Sequence, residues 1–452
     1  MTIVTALAGL ICLFSFTIFS FTAAWAQEIV TVTVAPTKPE GVSRLELGVT
    51  HTRYSLDTGG DLEAVPRAKK LLAAACRYHN VHIMGWGTMN PNPAPGVYDW
   101  ESLDRRMAMV RSIPGAIPVL TLCAAPDWMK GGEPSKTDWS KIEVAPLPEH
   151  YADFAELAKT IARRYPDVKH YQVWNEFKGF WNSRANNWHY QNYTRMYNLV
   201  YEALKAVNPN IRVGGPYLVI EGTGSMREPG NWATERPIRA RQWEVLNYWM
   251  NHKRGADFFV IDRSIKDFHD KNRYTEEEDR ARTPLFGDIV RQIRAKTDLP
   301  IWFAEFYASG TSSSLEAKAA MNASTLLHLV KSGAAAALLW QPMDSGEVGH
   351  ALFSDARKPG GAQPYPLYGV FRLFHEHFGP GTTLVRAASS APDIEVLASP
   401  EKVLIINKRL AAAVTVAVNG RRPLRLAANE VRLMDLEAPR ALAQRRGASL
   451  SR

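Results

Sequence analysis

Two acidic residues each end an apolar segment of this sequence, and together they are the first candidates for a catalytic site. Glu176 ends the apolar segment 169–176, directly after Asn175, and Glu305 ends a second apolar segment, 299–305. A carboxylate at the end of a buried strand costs free energy unless it is paired or hydrogen-bonded. Cleavage of a glycosidic bond uses paired carboxylates, one as proton donor and the other as nucleophile or as the base that activates water.

Short apolar segments alternate with longer amphipathic ones along this chain. These segments are expected to place the two carboxylates. The eight predicted strands are residues 45–49, 81–84, 117–122, 170–174, 211–213, 258–261, 301–303 and 336–340. The predicted helices between and after them include residues 61–78, 151–165, 193–207, 241–252, 315–331 and 365–378. Such alternation is typical of parallel sheets, and eight units predict a closed (β/α)₈ TIM barrel over residues 45–378.

The pattern changes after the barrel, where short strand-like segments are separated by turn residues. These segments are residues 394–398, 403–407, 414–418 and 431–435. Near the other end of the chain, Val30, Val32 and Val34 alternate with Thr, as in a strand with one buried face. We therefore predict a small antiparallel β-sandwich domain of residues 379–438, which a strand within residues 27–44 joins.

A TIM barrel gathers its chemistry at the carboxyl ends of its strands. Glu176 ends the fourth predicted strand and Glu305 ends the seventh, so their side chains should converge across the barrel mouth, about 5 Å apart in a retaining enzyme. The charge of Glu305 would then raise the pKa of Glu176 and keep it protonated. Each residue also has an ordinary explanation, because Asn175-Glu176 could cap a helix and Glu305 could belong to an ion pair.

The two chain ends predict features outside the folded domains. Residues 1–27 carry no charged side chain, residues 7–21 are apolar, and Ala24-Trp25-Ala26 is typical of a cleavage site. Residues 1–26 are therefore predicted to be a signal peptide of a secreted or periplasmic protein. No Lys or Arg precedes the apolar run, so an uncleaved membrane anchor is the alternative. The basic residues 439–452 are predicted to be a disordered tail.

Composition limits the partners that this chain can have. The net charge of +9 fits either an ordinary basic surface or attraction to an acidic polysaccharide. Basic residues are not clustered with aromatic ones on one element, which argues against nucleic acid. His375 and His377 lie two residues apart on a predicted helix and so face different ways, and no other spacing indicates a metal or a cofactor. Beyond the predicted signal, Cys76 and Cys123 are expected to be free thiols.

Two segments carry a resemblance to a known group of enzymes. Trp174-Asn175-Glu176 and Ala304-Glu305-Phe306 resemble the strand ends of the clan A retaining (β/α)₈ glycosidases. Within this clan the chain most resembles glycoside hydrolase family 39 and its relatives that trim bacterial exopolysaccharides. Residues 125–129, 214–216 and 339–340 also fit this resemblance.

The resemblance implies a retaining glycoside hydrolase that cleaves β-glycosidic bonds of an extracellular polysaccharide, without a cofactor or metal. Glu176 would be the acid/base and Glu305 the nucleophile. Asn175 would bind the 2-hydroxyl group of the sugar, Trp340 would form the floor on which that sugar stacks, and Trp128 would line the entrance. The alternative is a polysaccharide-binding barrel that has a groove but no catalytic activity.

Further candidates for substrate binding lie at other predicted strand ends. His51, Tyr217 and Tyr307 fall at such ends, and each fits packing nearly as well.

Two departures from the family pattern concern the sugar. Ile261-Asp262-Arg263 follows strand six where many relatives carry His or Tyr, and Asp262 or Arg263 could either recognise a sugar or form a salt bridge. Strand two lacks the Arg-x-His pattern and is followed by Gly85-Trp86-Gly87, which makes Trp86 a further candidate for substrate binding.

Overall fold

The computed structural model describes residues 29–57, 59–221, 237–265, 274–310, 312, 314–346 and 350–436. The first eight strands in chain order are β1 Ile29–Val42, β2 Glu46–His51, β3 Tyr78–His82, β4 Ile117–Leu122, β5 His170–Val173, β6 Trp181–Asn182, β7 Asn187–Trp188 and β8 Arg212–Val219. The remaining strands are β9 Phe258–Ser264, β10 Ile301–Tyr307, β11 Ala336–Trp340, β12 Thr383–Ser389, β13 Ile394–Ala398, β14 Lys402–Asn407, β15 Val414–Val418, β16 Leu424–Leu426 and β17 Val431–Asp435.

The helices alternate with the barrel strands. They are α1 Ala64–Ala73, α2 Glu101–Arg111, α3 Tyr151–Arg164, α4 Tyr190–Val207, α5 Ala240–His252, α6 Glu276–Ala281, α7 Leu285–Arg294, α8 Leu315–Ser332 and α9 Pro366–His377. Short 3₁₀ helices cover Asp127–Lys130, Trp139–Lys141 and Pro148–His150. Among the helices that the structure describes, none is both long and apolar enough to cross a membrane.

Eight parallel strands close into a barrel in the order β2, β3, β4, β5, β8, β9, β10 and β11. This confirms the predicted (β/α)₈ TIM barrel. The second strand of the barrel, β3, begins earlier than predicted, at Tyr78 rather than residue 81. The first residues of this strand are polar, so hydropathy did not detect them. Asn80 can be buried inside the barrel because its amide donates a hydrogen bond to Thr50 (3.1 Å) and accepts one from Thr121 (2.9 Å).

The C-terminal segments form two small sheets, which confirms the predicted β-sandwich. One sheet has the order β12, β1, β15, β16, and the other has the order β13, β14, β17. The N-terminal strand β1 lies between β12, which is antiparallel to it, and β15, which is parallel to it. Val30, Val32 and Val34 of β1 face the sandwich core, as their alternation with Thr predicts. The predicted signal peptide or anchor and the basic tail lie outside the described residues.

A buried ion pair of the β-sandwich is hydrogen-bonded to a helix of the barrel. Lys408, directly after β14, places its Nζ 2.8 Å from Oε1 of Glu395 on β13, and His328 of α8 lies 3.1 Å from the same oxygen. Burial by itself would raise the pKa of Glu395, but the hydrogen bond to His328 and the charge of Lys408 outweigh it and lower this pKa to about 2.

Replacing Lys408 by Met should destabilise the chain by about 3–5 kcal/mol, because Glu395 would keep a buried charge without the ammonium group that is paired with it. Urea unfolding of both proteins measures the difference. The double variant Lys408→Met with Glu395→Gln should recover part of this loss, because it no longer buries an unpaired charge. A Lys408→Met protein as stable as the wild type would contradict the prediction.

Candidate active site

Glu176 lies in a tight turn that follows β5, three residues beyond the end of that strand. Trp174, Glu176 and Phe177 have φ angles of 70°, 51° and 55°, a left-handed backbone that non-glycine residues seldom adopt. The buried ring of Trp174 fixes this turn, because its indole N–H donates a 2.8 Å hydrogen bond to the carbonyl oxygen of Lys178. The sequence placed Glu176 at the end of the strand itself, whereas the structure places it in the turn.

Glu305 lies within β10, beside Asp262 on the neighbouring strand β9. The two residues are paired in register, directly after a shift of the register between Phe303 and Glu305. Such irregularities re-aim side chains at barrel rims. Both carboxyl groups are almost fully buried, with 3% of each residue exposed.

Three carboxyl groups, rather than two, meet at the barrel mouth. One carboxyl oxygen from each of Glu176, Asp262 and Glu305 lies within 4.8 Å of the other two, and Asp262 is hydrogen-bonded to Glu176. The structure thus brings the two predicted catalytic residues together. It also places Asp262 in the same cluster, whereas the sequence had suggested either sugar recognition or a salt bridge for this residue.

Two tyrosines hold the carboxylate of Glu305. The hydroxyl of Tyr217 donates to Oε1 at 3.0 Å, and the hydroxyl of Tyr307 donates to Oε2 at 2.7 Å. Burial and the nearby charge of Glu176 raise the pKa of Glu305 to about 8, although both hydroxyls act in the opposite direction. In this structure the two tyrosines, which were predicted to bind substrate, position Glu305.

Replacing Tyr307 by Phe should move the alkaline limb of the pH profile of kcat/KM to higher pH, because Glu305 is the last of the two catalytic carboxyl groups to lose its proton. The hydroxyl favours the ionised form of Glu305, so its loss raises a pKa that is already raised, and the pair keeps its last proton to higher pH. The expected shift is about one pH unit, the scale of a hydrogen bond to a charged group. Tyr365→Phe, a change of a tyrosine that donates to Asp344, is the matched control and should leave the limb in place. An unmoved limb in Tyr307→Phe would contradict the prediction.

Lys178 sets the charge state of Glu176. Its Nζ lies 2.9 Å from Oε2 of Glu176 and 2.6 Å from Oε1 of Glu143. Burial by itself raises the pKa of Glu176, but the hydrogen bond to Asp262 and the charge of Lys178 outweigh it, so this pKa lies below its usual value. The expectation that Glu305 would raise the pKa of Glu176 is therefore wrong for this arrangement, because the sequence did not reveal the two neighbours.

An aromatic wall stands beside the carboxylates. The rings of Trp86 and Trp340 lie 6.4 Å apart at an angle of 85°. His82 contacts both rings, with centroids 4.6 and 5.6 Å away, and its Nε2 lies 3.5 Å from Oδ1 of Asn175. Burial lowers the pKa of His82 to about 3, so its imidazole is neutral. The structure thus groups the predicted residues Asn175, Trp86 and Trp340 around His82.

Sequence reasoning missed His82 and His350. His82 ends β3, but Asn80 rather than Arg stands two residues before it, so the Arg-x-His pattern did not identify it; a histidine at a strand end was the usable signal. His350 places its Nε2 3.1 Å from the carbonyl oxygen of Trp340 and its ring 5.2 Å from Tyr307. It comes from the loop after β11 and gave no signal in the sequence.

Two other predicted residues make contacts within the protein. Trp128 donates from its indole N–H to the carbonyl oxygen of Asn92 at 3.0 Å and packs its ring against His150. His51 is buried and hydrogen-bonded to His79 at 3.0 Å and to Ser55 at 2.9 Å. These contacts do not test substrate binding by Trp128 or His51, which stays a prediction.

The three carboxyl oxygens are close enough to bridge a cation, but their partners argue against a metal site. Hard cations take six or more oxygen ligands. Both oxygens of Glu305 already accept hydrogen bonds from tyrosines, and Glu176 is paired with Lys178. The arrangement instead suits proton transfer next to a carboxylate that is held in place.

Comparisons with known proteins agree with this geometry. The sequence model for glycosyl hydrolases family 39 matches residues 88–338, and no curated protein matches the chain by sequence. A monomeric beta-xylosidase from Caulobacter crescentus CB15 has a similar structure, with a TM-score of 0.56 and 16% identity over 90% of this chain and 97% of that one. The GH39 enzyme from Xanthomonas axonopodis pv. citri has a TM-score of 0.52 and 19% identity over 86% and 79% of the two chains. A glucosidase from Croceicoccus marinus has a TM-score of 0.53 and 15% identity over 88% and 84%.

Proposed function

This chain belongs to glycosyl hydrolases family 39 and is an O-glycosyl hydrolase, and we propose that it cleaves a β-linked polysaccharide with retention of configuration. The observation that carries this proposal is the separation of the carboxyl groups. Oxygens of Glu176 and Glu305 lie within 4.8 Å of each other. Retaining enzymes hold these groups about 5 Å apart, whereas inverting enzymes leave about 6.5–9.5 Å for a water molecule.

In the first step, ionised Glu305 attacks the anomeric carbon while Glu176 donates its proton to the leaving oxygen. The bond between the anomeric carbon and the leaving oxygen breaks, and a covalent glycosyl ester forms on Glu305. Tyr217 and Tyr307 hold the attacking carboxylate through 3.0 and 2.7 Å hydrogen bonds. Such positioning supplies much of the rate, because the reacting atoms need not be brought together during the reaction.

The proton that Glu176 donates is already present in the carboxyl cluster. With a pKa of about 8, Glu305 is mainly protonated at neutral pH in the sugar-free site, and Glu176 is mainly ionised beside Lys178. Moving one proton from Glu305 to Glu176 gives the reactive arrangement without any exchange with solvent. Because the oxygens lie within 4.8 Å, one intervening hydroxyl or water molecule suffices for this transfer.

In the second step, Glu176 acts as a base. It takes a proton from a water molecule, the water oxygen attacks the anomeric carbon, and the ester bond to Glu305 breaks. The carboxylate of Glu305 and the protonated Glu176 are thereby restored. The free enzyme then re-enters the cycle with the same number of protons.

The surroundings of the cluster favour a neutral sugar at the cleavage point. Trp340 and Trp86 offer apolar ring faces for stacking, and Asn175 beside Glu176 offers an amide to the sugar hydroxyls. Lys178 is already paired with Glu176 and Glu143, so it is poorly placed to bind the carboxylate of a sugar. The net charge of +9 would then act on more distant parts of an acidic polymer. We place the reaction outside the cytoplasm, on the strength of the apolar segment 7–21.

A slow substrate with fluorine at C2 tests the mechanism. Incubation with a 2-deoxy-2-fluoro glycoside that carries a good leaving group should label Glu305 covalently, because the leaving group keeps the first step fast while fluorine slows the second. Peptide mass spectrometry identifies the site of the label, and Glu305→Gln is the matched control. A label on another residue, or an inverted product by NMR, would contradict the proposal. A polysaccharide-binding barrel would release no reducing sugar from any of a panel of purified exopolysaccharides.

A further inference from the structure

Asp262 occupies a position in the carboxyl cluster that neither half of the proposed mechanism uses. It lies near the end of β9, in register with Glu305 of β10, and 3% of the residue is exposed. Its carboxyl group is hydrogen-bonded to Glu176, with its oxygen within 4.8 Å of both catalytic carboxyl groups. A hydrogen bond between two carboxyl groups requires that one of them carry a proton.

We propose that Asp262 is a positioning residue that acts as a neutral carboxylic acid and donates a hydrogen bond to the carboxylate of Glu176. This role rests on the proposed function, because it stabilises the ionised form of the acid/base that exists between the two steps. Asp262 keeps its own proton throughout. Glu176 loses a proton to the leaving oxygen and regains one from water, so the balance of protons does not involve Asp262.

The surroundings explain why Asp262, rather than Glu176, carries the proton. Asp262 faces Glu305 and Tyr307 on β10, Tyr217 on β8, and Glu176 with Lys178 in the turn after β5. Burial first, and then the charge of Glu305, raise the pKa of Asp262 well above its usual range. Glu176 has the ammonium group of Lys178 at 2.9 Å, so the shared negative charge is more stable on Glu176.

This arrangement makes Glu176 a stronger acid in the first step. A hydrogen bond to its carboxylate stabilises the product of proton donation, as a fixed donor does for any developing anion. An ionised Asp262 would have the opposite effect, because a third negative charge within 4.8 Å would hold protons on both catalytic carboxyl groups. The neutral state of Asp262 is therefore the one that serves the reaction.

Asn and Ala at position 262 separate donation of a hydrogen bond from mere filling of space. Asp262→Asn keeps an N–H donor and should retain kcat/KM within about threefold, with the acidic limb of its pH profile close to that of the wild type. Asp262→Ala removes the donor and should lower kcat/KM about 10- to 100-fold, the usual cost of losing a group that orients a catalytic residue. The acidic limb of its pH profile should move up by about one pH unit, because Glu176, which has the lower pKa of the catalytic pair, then holds its proton more tightly.

Full pH profiles of both variants, with thermal unfolding to confirm that each is folded, decide the matter. Asp288→Asn, an exposed change on α7, is the control and should behave as the wild type. The proposal is overturned if Asp262→Asn is as impaired as Asp262→Ala, because the ionised form would then be the one required. It is also overturned if Asp262→Ala loses activity without any shift of the acidic limb, as expected for a purely structural residue. If either variant fails to fold, the profile of the other one decides. Failure of the proposed function would instead appear as a wild-type enzyme whose Glu305 the fluorinated glycoside does not label.

Discussion

Replacing Glu305 by Gln should lower kcat roughly 10⁴-fold or more, because the amide cannot form the glycosyl ester on which both steps depend. In the wild type, Tyr217 and Tyr307 each donate to a different carboxyl oxygen of Glu305, at 3.0 and 2.7 Å. The amide of Gln offers an acceptor oxygen to only one of these hydroxyls. The side chain therefore keeps its position but cannot carry a negative charge. Release of a chromogenic leaving group from an aryl glycoside measures the loss. A variant that retains a tenth of the wild-type rate would contradict the role of Glu305 as nucleophile.

Stability provides the control for this variant. Burial raises the pKa of Glu305 from its usual 4.5 to about 8. The folded protein therefore keeps a proton that the unfolded chain releases above pH 4.5, and stability falls as the pH rises between 4.5 and 8. The amide that replaces this carboxyl group cannot ionise, so the Tm of Glu305→Gln relative to the wild type should be higher at pH 8 than at pH 5. An inactive variant that follows this trend is folded and has lost only chemistry.

Replacing Glu176 by Ala should have an effect that depends on the leaving group. With a polysaccharide, whose leaving alcohol needs a proton, kcat/KM should fall about 10²- to 10⁴-fold. With an activated aryl glycoside the first step needs little help, so kcat/KM should fall much less, and the glycosyl ester on Glu305 should accumulate because no base activates water. A pre-steady-state burst of the aryl alcohol measures this accumulation.

Azide distinguishes the two catalytic residues. As a nucleophile that needs no base, azide should restore turnover of Glu176→Ala and give a glycosyl azide of retained configuration. In Glu305→Ala it should enter from the side that the nucleophile has vacated and give the inverted product. NMR of the products checks both. An equal loss for the polysaccharide and the aryl glycoside in Glu176→Ala would contradict the assignment of Glu176 as acid/base.

Charge interactions explain why the sequence could predict that Glu176 and Glu305 lie together but could not predict their protonation states. Glu176 and Glu305 follow or end apolar strands, and counting strands was enough to place them on opposite sides of one barrel. Besides burial, the pKa of Glu176 depends on Asp262 and Lys178, and the pKa of Glu305 depends on Glu176 and on the two tyrosines. Lys178 lies only two residues from Glu176, yet the sequence does not show that the turn brings its Nζ within 2.9 Å of that carboxylate. Asp262 comes from another strand altogether.

The aromatic residues likewise show which contacts could be predicted from the sequence and which were seen only in the structure. The family resemblance implied that Trp340 binds the sugar, and Trp86 was a candidate because it follows the second barrel strand in a segment that departs from the family pattern. The structure places both rings beside His82. His82 itself was missed because the predicted strand, residues 81–84, places it near the beginning of the strand, whereas it ends β3 in the structure. Tyr217 and Tyr307 were correctly placed at strand ends, but only the structure showed that their hydroxyls bind Glu305.

The barrel, the β-sandwich and the position of two carboxylates at the mouth of the barrel could be predicted from the sequence alone. These features follow from hydrophobic periodicity and from turn residues, which act over a few neighbouring positions and can be read along the chain. The third carboxyl group, the two tyrosines that donate to Glu305 and the ion pair of Glu176 became apparent only from the tertiary structure. These depend on distances between side chains from different strands, which the closure of the barrel and the left-handed turn at Trp174, Glu176 and Phe177 set. Burial then determines which carboxyl group keeps its proton.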